Sequence, residues 1–139
     1  MAWNKQDLIP QSEITDKITD ATVKFAERFG SYLGTDDENS QNHRSMQNKL
    51  TTNQLRKFFG EVKRQQMSGY NETDFVLLKP KLAYAVGRAK SKVAKINDFY
   101  YVIANAIDQV HNEQQFKNFI KIFEAIVAYH KAAEEKISL

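Results

Sequence analysis

The chain has 139 residues, about the length of one domain, and its 42% hydrophobic and 27% charged residues indicate a globular protein and exclude a disordered one. It contains no cysteine, which excludes disulfides and thiolate metal sites and is compatible with a reducing cytoplasm. No apolar run approaches the roughly 20 residues that cross a bilayer, and the amino-terminal segment lacks the apolar stretch of a secretory signal, so we expect a cytoplasmic protein.

The net charge of +3 is distributed unevenly along the chain. Residues 1–48 carry five basic and eight acidic side chains, residues 49–95 carry eleven and three, and residues 96–139 carry four and six. The middle of the chain therefore has a balance of +8, between ends of −3 and −2. A concentrated positive region of this kind favours a polyanionic partner.

The first predicted helix covers about residues 12–33. Its apolar residues recur at spacings of three and four, which places them on one face: Ile14, Ile18, Ala21, Phe25, Phe29 and Tyr32. Gly30 and Gly34 lie where this helix is expected to fray and stop. The polar segment that follows, about residues 35–49, has no period and is predicted to be an exposed, mobile loop.

The second predicted helix begins at a capping-box pattern formed by Thr51 and Gln54. Its apolar stripe consists of Leu55, Phe58, Phe59 and Val62. In the next segment, Pro80 either opens a helix near its first position or kinks a longer helix that begins near Asp74, and we favour the first alternative. The apolar stripe of that third helix consists of Leu82, Ala85, Val86 and Ala89.

A fourth helix is predicted from an N-cap at Asp98 to about Val110, and a fifth from a capping box at Asn112 and Gln115. The fifth is the most hydrophobic, with Phe116, Phe119, Ile120, Phe123, Ile126, Val127 and His130 on its stripe. No segment alternates apolar and polar residues with the period of a strand. The sequence therefore predicts an all-α fold, a compact bundle of about five helices in a single domain over residues 1–139.

No pattern of catalytic or metal-binding residues is present. His43, His111 and His130 form no pair at ligand spacing, and His130, at the end of an apolar stripe, is predicted to be a packed structural histidine. The acidic residues 36–38 lack the remaining ligands of a calcium loop. Nucleophile-elbow, P-loop and dinucleotide motifs are also missing. We therefore predict no enzymatic activity, no metal and no cofactor.

Four cations share one broad side of the second predicted helix: Arg56, Lys57, Lys63 and Arg64. Gly60 lies among them, and Glu61 stands apart from this sector. Glycine costs roughly 1 kcal/mol in a helix interior, so Gly60 indicates the close approach either of a sugar-phosphate chain or of a neighbouring helix.

The third predicted helix repeats this layout. Lys81 and Arg88 are seven residues apart and project from the same side, with Tyr84 between them and Gly87 beside them. The flanking loops are expected to extend the charge through Lys79, Lys90, Lys92 and Lys95. This arrangement predicts binding to a polyanion through phosphate contacts that do not read base sequence. The alternative is a protein-interaction module whose basic face docks an acidic partner.

The segments LTTNQLRKFFGEVKR, LLKPKLAYAVGRAK and FEAIVAYHK resemble the small subunit of type III-A CRISPR effector complexes, the Csm small subunit. The family's motifs match residues 51–56, 79–88 and 123–131 in the same order, and the resemblance spans about residues 49–132. It implies a compact helical protein without catalytic activity of its own. Its partners would be guide RNA, target RNA, other subunits of the complex and further copies of itself in a filament, with no membrane involved.

The resemblance also implies which basic residues contact phosphate: Lys49, Arg56, Lys57, Lys63, Lys79, Lys81, Arg88 and Lys131. Arg64 joins them from the basic side of the second helix. Tyr84 either stacks on a base or packs within the protein.

Overall fold

The computed structural model describes residues 3–39, 44–46, 49–88 and 94–135. These residues form seven helices: α1 (Gln11–Thr15), α2 (Asp20–Leu33), α3 (Thr52–Ser68), α4 (Glu72–Val76), α5 (Leu78–Arg88), α6 (Ala94–Asp108) and α7 (Glu113–Glu134). Two three-residue strands, β1 (Asp37–Asn39) and β2 (Arg44–Met46), pair antiparallel with Asp37 opposite Met46. The all-α class is confirmed, and the count of five helices is corrected by the additional helices α1 and α4. The segment predicted as a loop, residues 35–49, includes this short hairpin, and its residues 40–43 and 47–48 lie outside the described residues.

The helix predicted over residues 12–33 is broken because a buried carboxylate caps α2 from outside it. Glu13 accepts hydrogen bonds from the backbone N–H groups of Thr19 (2.7 Å) and Thr22 (3.1 Å) and from both of their hydroxyl groups. The side chain of Thr19 in turn accepts the N–H of Ala21. Donors at the start of a helix have no partner inside it, so a new helix begins at Asp20.

α2 and α7 pack so closely that a side chain would not fit between them. A Cβ atom on Gly30 would lie 2.7 Å from the carbonyl oxygen of Ile126 and 2.8 Å from the backbone nitrogen of His130. Gly34 ends α2 as predicted, with its N–H bonded to the carbonyl of Gly30 at 3.0 Å. Gly30 itself lies inside the helix, and its role is this close approach.

The predicted apolar stripes form the core. The helices contribute a chain of aromatic rings in contact, centred on α7: Phe58, Phe75, Phe99, Phe116, Phe119 and Phe123. Some residues of the predicted stripes are only half-buried, namely Ile18, Ala21, Tyr32, Phe59, Ala85, Val86 and Val127. Ala89 lies outside the described residues. His130 is buried, and its Nε2 contacts the carbonyl oxygen of Leu50, which confirms the predicted packed histidine.

Several helix boundaries follow the predicted signals. Asn112 caps α7 by accepting the N–H of Gln115 at 2.9 Å, and Gln115 accepts the N–H of His111. Pro80 lies in the first turn of α5, where an absent N–H costs no intrahelical bond. The prediction of Asp98 as an N-cap is wrong, because α6 begins at Ala94.

Asp98 lies inside α6, buried, and accepts a hydrogen bond from the hydroxyl of Tyr32 at 2.5 Å. At α3, Thr51 precedes the first helical residue as an N-cap should, but the side chain of Gln54 lies outside the described part of the chain.

Candidate nucleic-acid interface

A groove of about 440 Å³ runs between α3 and α5 on the basic side of the bundle. Its rim carries Lys57 from α3 and Lys81 and Arg88 from α5, and its floor includes Phe58 and Ile96. We refer to it as the α3–α5 groove. Cations from both predicted basic helices therefore converge around an apolar floor, an arrangement that suits a ligand with charged and flat apolar parts.

Tyr84 stands in this groove with its ring open to solvent. Its relative exposure is 68%, so the alternative in which it packs in the protein core is wrong. The guanidinium carbon of Arg88 lies 5.9 Å from the centre of the ring, within the range of a cation–π contact. An exposed aromatic ring next to a cation is a platform on which a base could stack.

Glu61 is a groove residue that the sequence analysis missed. Its Oε2 accepts hydrogen bonds from Arg64 Nη2 (2.7 Å), Lys81 Nζ (2.9 Å) and Gln65 Nε2 (3.0 Å), and its Oε1 accepts one from Arg64 Nε (3.1 Å). The hydrogen bond from Arg64 lowers the pKa of Glu61 well below its usual value. Burial acts in the opposite direction and raises the pKa, while the hydrogen bonds from Gln65 and Lys81 lower it further. On a helical wheel of α3, Glu61 lies outside the basic sector. In the folded chain, however, α5 packs on the side of α3 that carries Glu61 and brings Lys81 to it.

A second groove, of about 480 Å³, lies between α3 and α7. Leu55, Phe59 and Val127 line it, and Arg56 and Lys131 flank it. We call it the α3–α7 groove. The basic side predicted as one strip is therefore divided, because residues 56 and 57 point about 100° apart on α3 and face different neighbouring helices.

Lys63 lies on the side of α3 that faces α7. Its Nζ is 2.5 Å from Glu124 Oε2 and 5.8 Å from the ring centre of Phe59. Lys131 has a carboxylate nearby as well, at 3.7 Å in Glu135. Both cations are partly exposed, so solvent screens these pairs strongly.

Two other predicted residues lie away from the two grooves. Lys79 pairs with Asp108 at 2.7 Å, and that hydrogen bond raises the pKa of Lys79. Lys49 is half-buried, and its backbone N–H donates to Asp36 Oδ1 at 2.8 Å. Lys90 and Lys92 lie outside the described residues.

The prediction that Lys95 extends the basic surface is wrong. Its side chain is 1% exposed and forms an ion pair with Asp37 Oδ1 at 2.8 Å. It also donates to the backbone carbonyls of Tyr32 (2.8 Å) and Thr35, and its Nζ lies 4.3 Å from the ring centre of Tyr32. Lys95 therefore fastens β1 to the bundle and is not available to a ligand.

The two glycines of the basic helices face open space. No described atom lies within 4 Å of a Cβ built on Gly60 or Gly87, which rules out close helix packing as the reason for Gly60 within the described structure. Among the residues that the structure describes, four predicted cations form no ion pair with a carboxylate: Lys49, Arg56, Lys57 and Arg88. Of these, only Lys57 and Arg88 line the α3–α5 groove.

The described ranges contain no group of three or more His, Cys, Asp or Glu residues that could hold a metal ion. In the same ranges, no helix is both long enough and apolar enough to span a membrane.

The described residues thus form a small helical bundle with basic side chains around two open grooves. The family model described as Csm2 Type III-A matches residues 16–136, and the chain belongs to this family. No curated protein and no solved structure matches the chain. The match confirms the resemblance seen over residues 49–132 and extends it towards the amino terminus.

The family consists of structural small subunits of the type III-A CRISPR effector, which are non-catalytic in general. Membership implies association with other Csm subunits and with RNA. Members are cytoplasmic in general.

Proposed function

We propose that this structural subunit binds guide or target RNA through its backbone and that the α3–α5 groove is the main contact. The observation that carries the proposal is the convergence of Lys57, Lys81 and Arg88 on one groove that also holds an exposed tyrosine ring. Phosphates would contact the cations at the rim, and a base would stack on Tyr84.

Single-stranded RNA fits this groove better than a duplex. A duplex keeps its bases stacked on one another, whereas a single strand can offer a base face to Tyr84 and to the apolar floor. The cations at the rim would contact phosphates, and phosphate contacts carry no base information, so binding would be independent of sequence and strongly dependent on salt.

The α3–α7 groove is proposed as a secondary contact. Arg56 lies about 100° from Lys57 around α3, and Gly60 occupies the exposed sector between the two residues. Because nothing lies within 4 Å of a Cβ at Gly60, a sugar-phosphate chain could pass close to the helix there. Contacts at Lys49, Lys63, Arg64, Lys79 and Lys131 are proposed as weaker, since these side chains lie outside the main groove or already have carboxylate neighbours.

Packing against neighbouring subunits and filament formation by several copies are also proposed, with residues 1–139 acting as one domain. The family assignment supports association with other Csm subunits. Co-expression with those subunits, followed by mass measurement of the purified complex, would test the copy number. One copy per complex would contradict the filament.

The RNA-binding proposal is tested with a labelled 20-nucleotide single-stranded RNA and the double variant Lys57→Ala/Arg88→Ala, measured by fluorescence anisotropy. One contact between unit charges at 4 Å is worth about 1 kcal/mol in water, so the variant should bind about 10- to 30-fold more weakly. The slope of log K against log salt should become shallower by about 1.4, from about 0.7 per phosphate contact.

The matched control is Lys17→Ala/Lys121→Ala, which removes the same charge from exposed positions away from both grooves. Equal weakening in both double variants would attribute binding to net charge and would contradict the groove assignment. Absence of RNA binding by the wild-type chain would refute the proposal itself.

The alternative function, docking of an acidic protein, has its own support. Lys63, Lys79 and Lys81 already bind carboxylates within the chain, at 2.5, 2.7 and 2.9 Å. Polyglutamate that binds as tightly as RNA of equal charge, with no loss on Tyr84→Ala, would favour this alternative.

A further inference from the structure

Glu61 occupies the position at which a bound phosphate would meet the cations of α3 and α5. Its side chain is 19% exposed, while the side chains of Arg64 and Lys81 are 52% and 50% exposed. The carboxylate accepts hydrogen bonds from two nitrogens of Arg64, one on each oxygen, and from Lys81 Nζ on Oε2. Two cations that could each bind a ligand thus share one internal anion.

The chemistry of this contact is that of phosphate recognition. A guanidinium binds two oxygens of a carboxylate with the same fork of donors that it uses for phosphate, and an ammonium group supplies the third charge-assisted bond. Lys81 and Glu61 line the α3–α5 groove, and Arg64 reaches Glu61 from outside the groove lining, so a phosphate bound next to Glu61 would draw on the same donors. Glu61 and RNA therefore compete for Lys81 and Arg64, and the negative charge of Glu61 also repels a phosphate placed in the groove.

We propose that Glu61 acts as an internal substitute for a phosphate and thereby limits the affinity of the α3–α5 groove for RNA. The inference rests on the proposed function, because it concerns the same groove. Lys57 and Arg88, which have no carboxylate partner in the described structure, make the first contacts. Lys81 and Arg64 contribute only to the extent that they leave Glu61.

A limited affinity suits a subunit that contacts RNA without reading its sequence. Such a groove holds RNA that other parts of a complex have already brought into place, and it captures free RNA poorly. Mass action then favours binding within the assembled complex, where the effective concentration of RNA is high.

The test is Glu61→Gln, which preserves the shape of the side chain and one acceptor oxygen but removes the charge. We expect it to bind the 20-nucleotide RNA about 5- to 10-fold more tightly at 50 mM salt, from one unit charge removed near phosphate. In this variant Lys81, Arg64 or both are free to contact phosphate. The slope of log K against log salt should therefore become steeper by about 0.7 to 1.4.

The matched control is Glu27→Gln, which makes the same charge change at an exposed position of α2. An equal gain in affinity for both variants would overturn the inference, because net charge would then explain it. Unchanged or weaker binding by Glu61→Gln, while Lys57→Ala/Arg88→Ala still weakens binding, would overturn the inference alone. A wild-type chain that binds no RNA would overturn the proposed function as well.

A second pair of variants tests the inference if Glu61→Gln does not fold. Lys81 is already neutralised by Glu61, whereas Lys57 is not, so Lys81→Met should weaken RNA binding less than Lys57→Met. We expect a loss of about 2-fold for the first and about 5-fold for the second. An equal or larger loss for Lys81→Met would show that Glu61 does not restrain Lys81 and would overturn the inference.

Discussion

The close packing of α2 against α7 gives the sharpest stability prediction, through Gly30→Ala. In an exposed helix this substitution would stabilise by about 1 kcal/mol. Here the new Cβ would lie 2.7 Å from the carbonyl oxygen of Ile126 and 2.8 Å from the nitrogen of His130. Both atoms belong to the backbone of α7, so relief requires the two helices to separate.

Overpacking of this kind costs about 1–3 kcal/mol, and two backbone contacts place Gly30 at the upper end of that range. After subtracting the gain in helix propensity, we expect a net loss of about 2 kcal/mol in the free energy of unfolding. For a chain of this length, the midpoint of thermal unfolding should fall by about 6–10 °C. Urea unfolding followed by circular dichroism at 222 nm measures the free energy directly.

Gly60→Ala is the matched control, since it makes the same change in a helix with nothing within 4 Å of the new Cβ. It should stabilise the chain by up to about 1 kcal/mol. If Gly30→Ala were as stable as Gly60→Ala, the close approach of α2 and α7 would be wrong. If both substitutions destabilised equally, a cause other than packing would be required.

Three further predictions concern single side chains. Tyr84→Ala should weaken binding of single-stranded RNA by at least about 5-fold at unchanged stability, since stacking is worth about 1–3 kcal/mol per base. Tyr84→Phe should bind like wild type, and a loss there would point to the hydroxyl. Burial raises the pKa of Glu13, but the hydrogen bonds from Thr19 and Thr22 hold that pKa below the usual 4.5. The ionised carboxylate therefore stabilises the folded protein above pH 4.5, and this contribution is lost as the pH falls towards the pKa of Glu13 in the folded protein. Unfolding free energies measured from pH 7 to pH 3 should therefore decline less steeply in Glu13→Gln, and parallel curves would contradict this. Lys95→Met should cost about 2 kcal/mol in urea unfolding, because two backbone carbonyls lose their donor; a neutral result would mean that water replaces the ammonium group.

Features that depend on near neighbours in the sequence were predicted well. The all-α class, the buried stripe of α3 at Leu55, Phe58 and Val62, and the cap at Asn112 all rest on residues within about one or two helical turns of each other. The boundary between α1 and α2 also depends on residues close together in the sequence, but it was not predicted because it depends on burial. Glu13 resembles any surface carboxylate in the sequence, and only its burial beside Thr19 and Thr22 turns it into the cap that separates α1 from α2.

The sequence indicated where the basic residues lie along the chain but not how they are arranged in space. The positive middle of the chain pointed to α3 and α5, and Lys57, Lys81, Tyr84 and Arg88 line one groove between these helices. The partners of the cations were not predictable, because an ion pair forms wherever two helices bring opposite charges together. The sequence offered one local signal, the spacing of three between Glu61 and Arg64, which is typical of a pair on one helix face.

The sequence by itself determined the all-α class, most of the helical segments and their buried faces, and that much of the basic charge lies on α3 and α5, since periodicity and capping act within a few residues. Only the tertiary structure decided how that charge is used. Glu61 meets Lys81 from 20 positions away, Lys63 meets Glu124 from 61 positions away, and Lys95 is drawn into the interior. These pairings depend on how helices far apart in the chain cross, and the crossings follow from the packing of whole helices, such as the seating of α7 against Gly30.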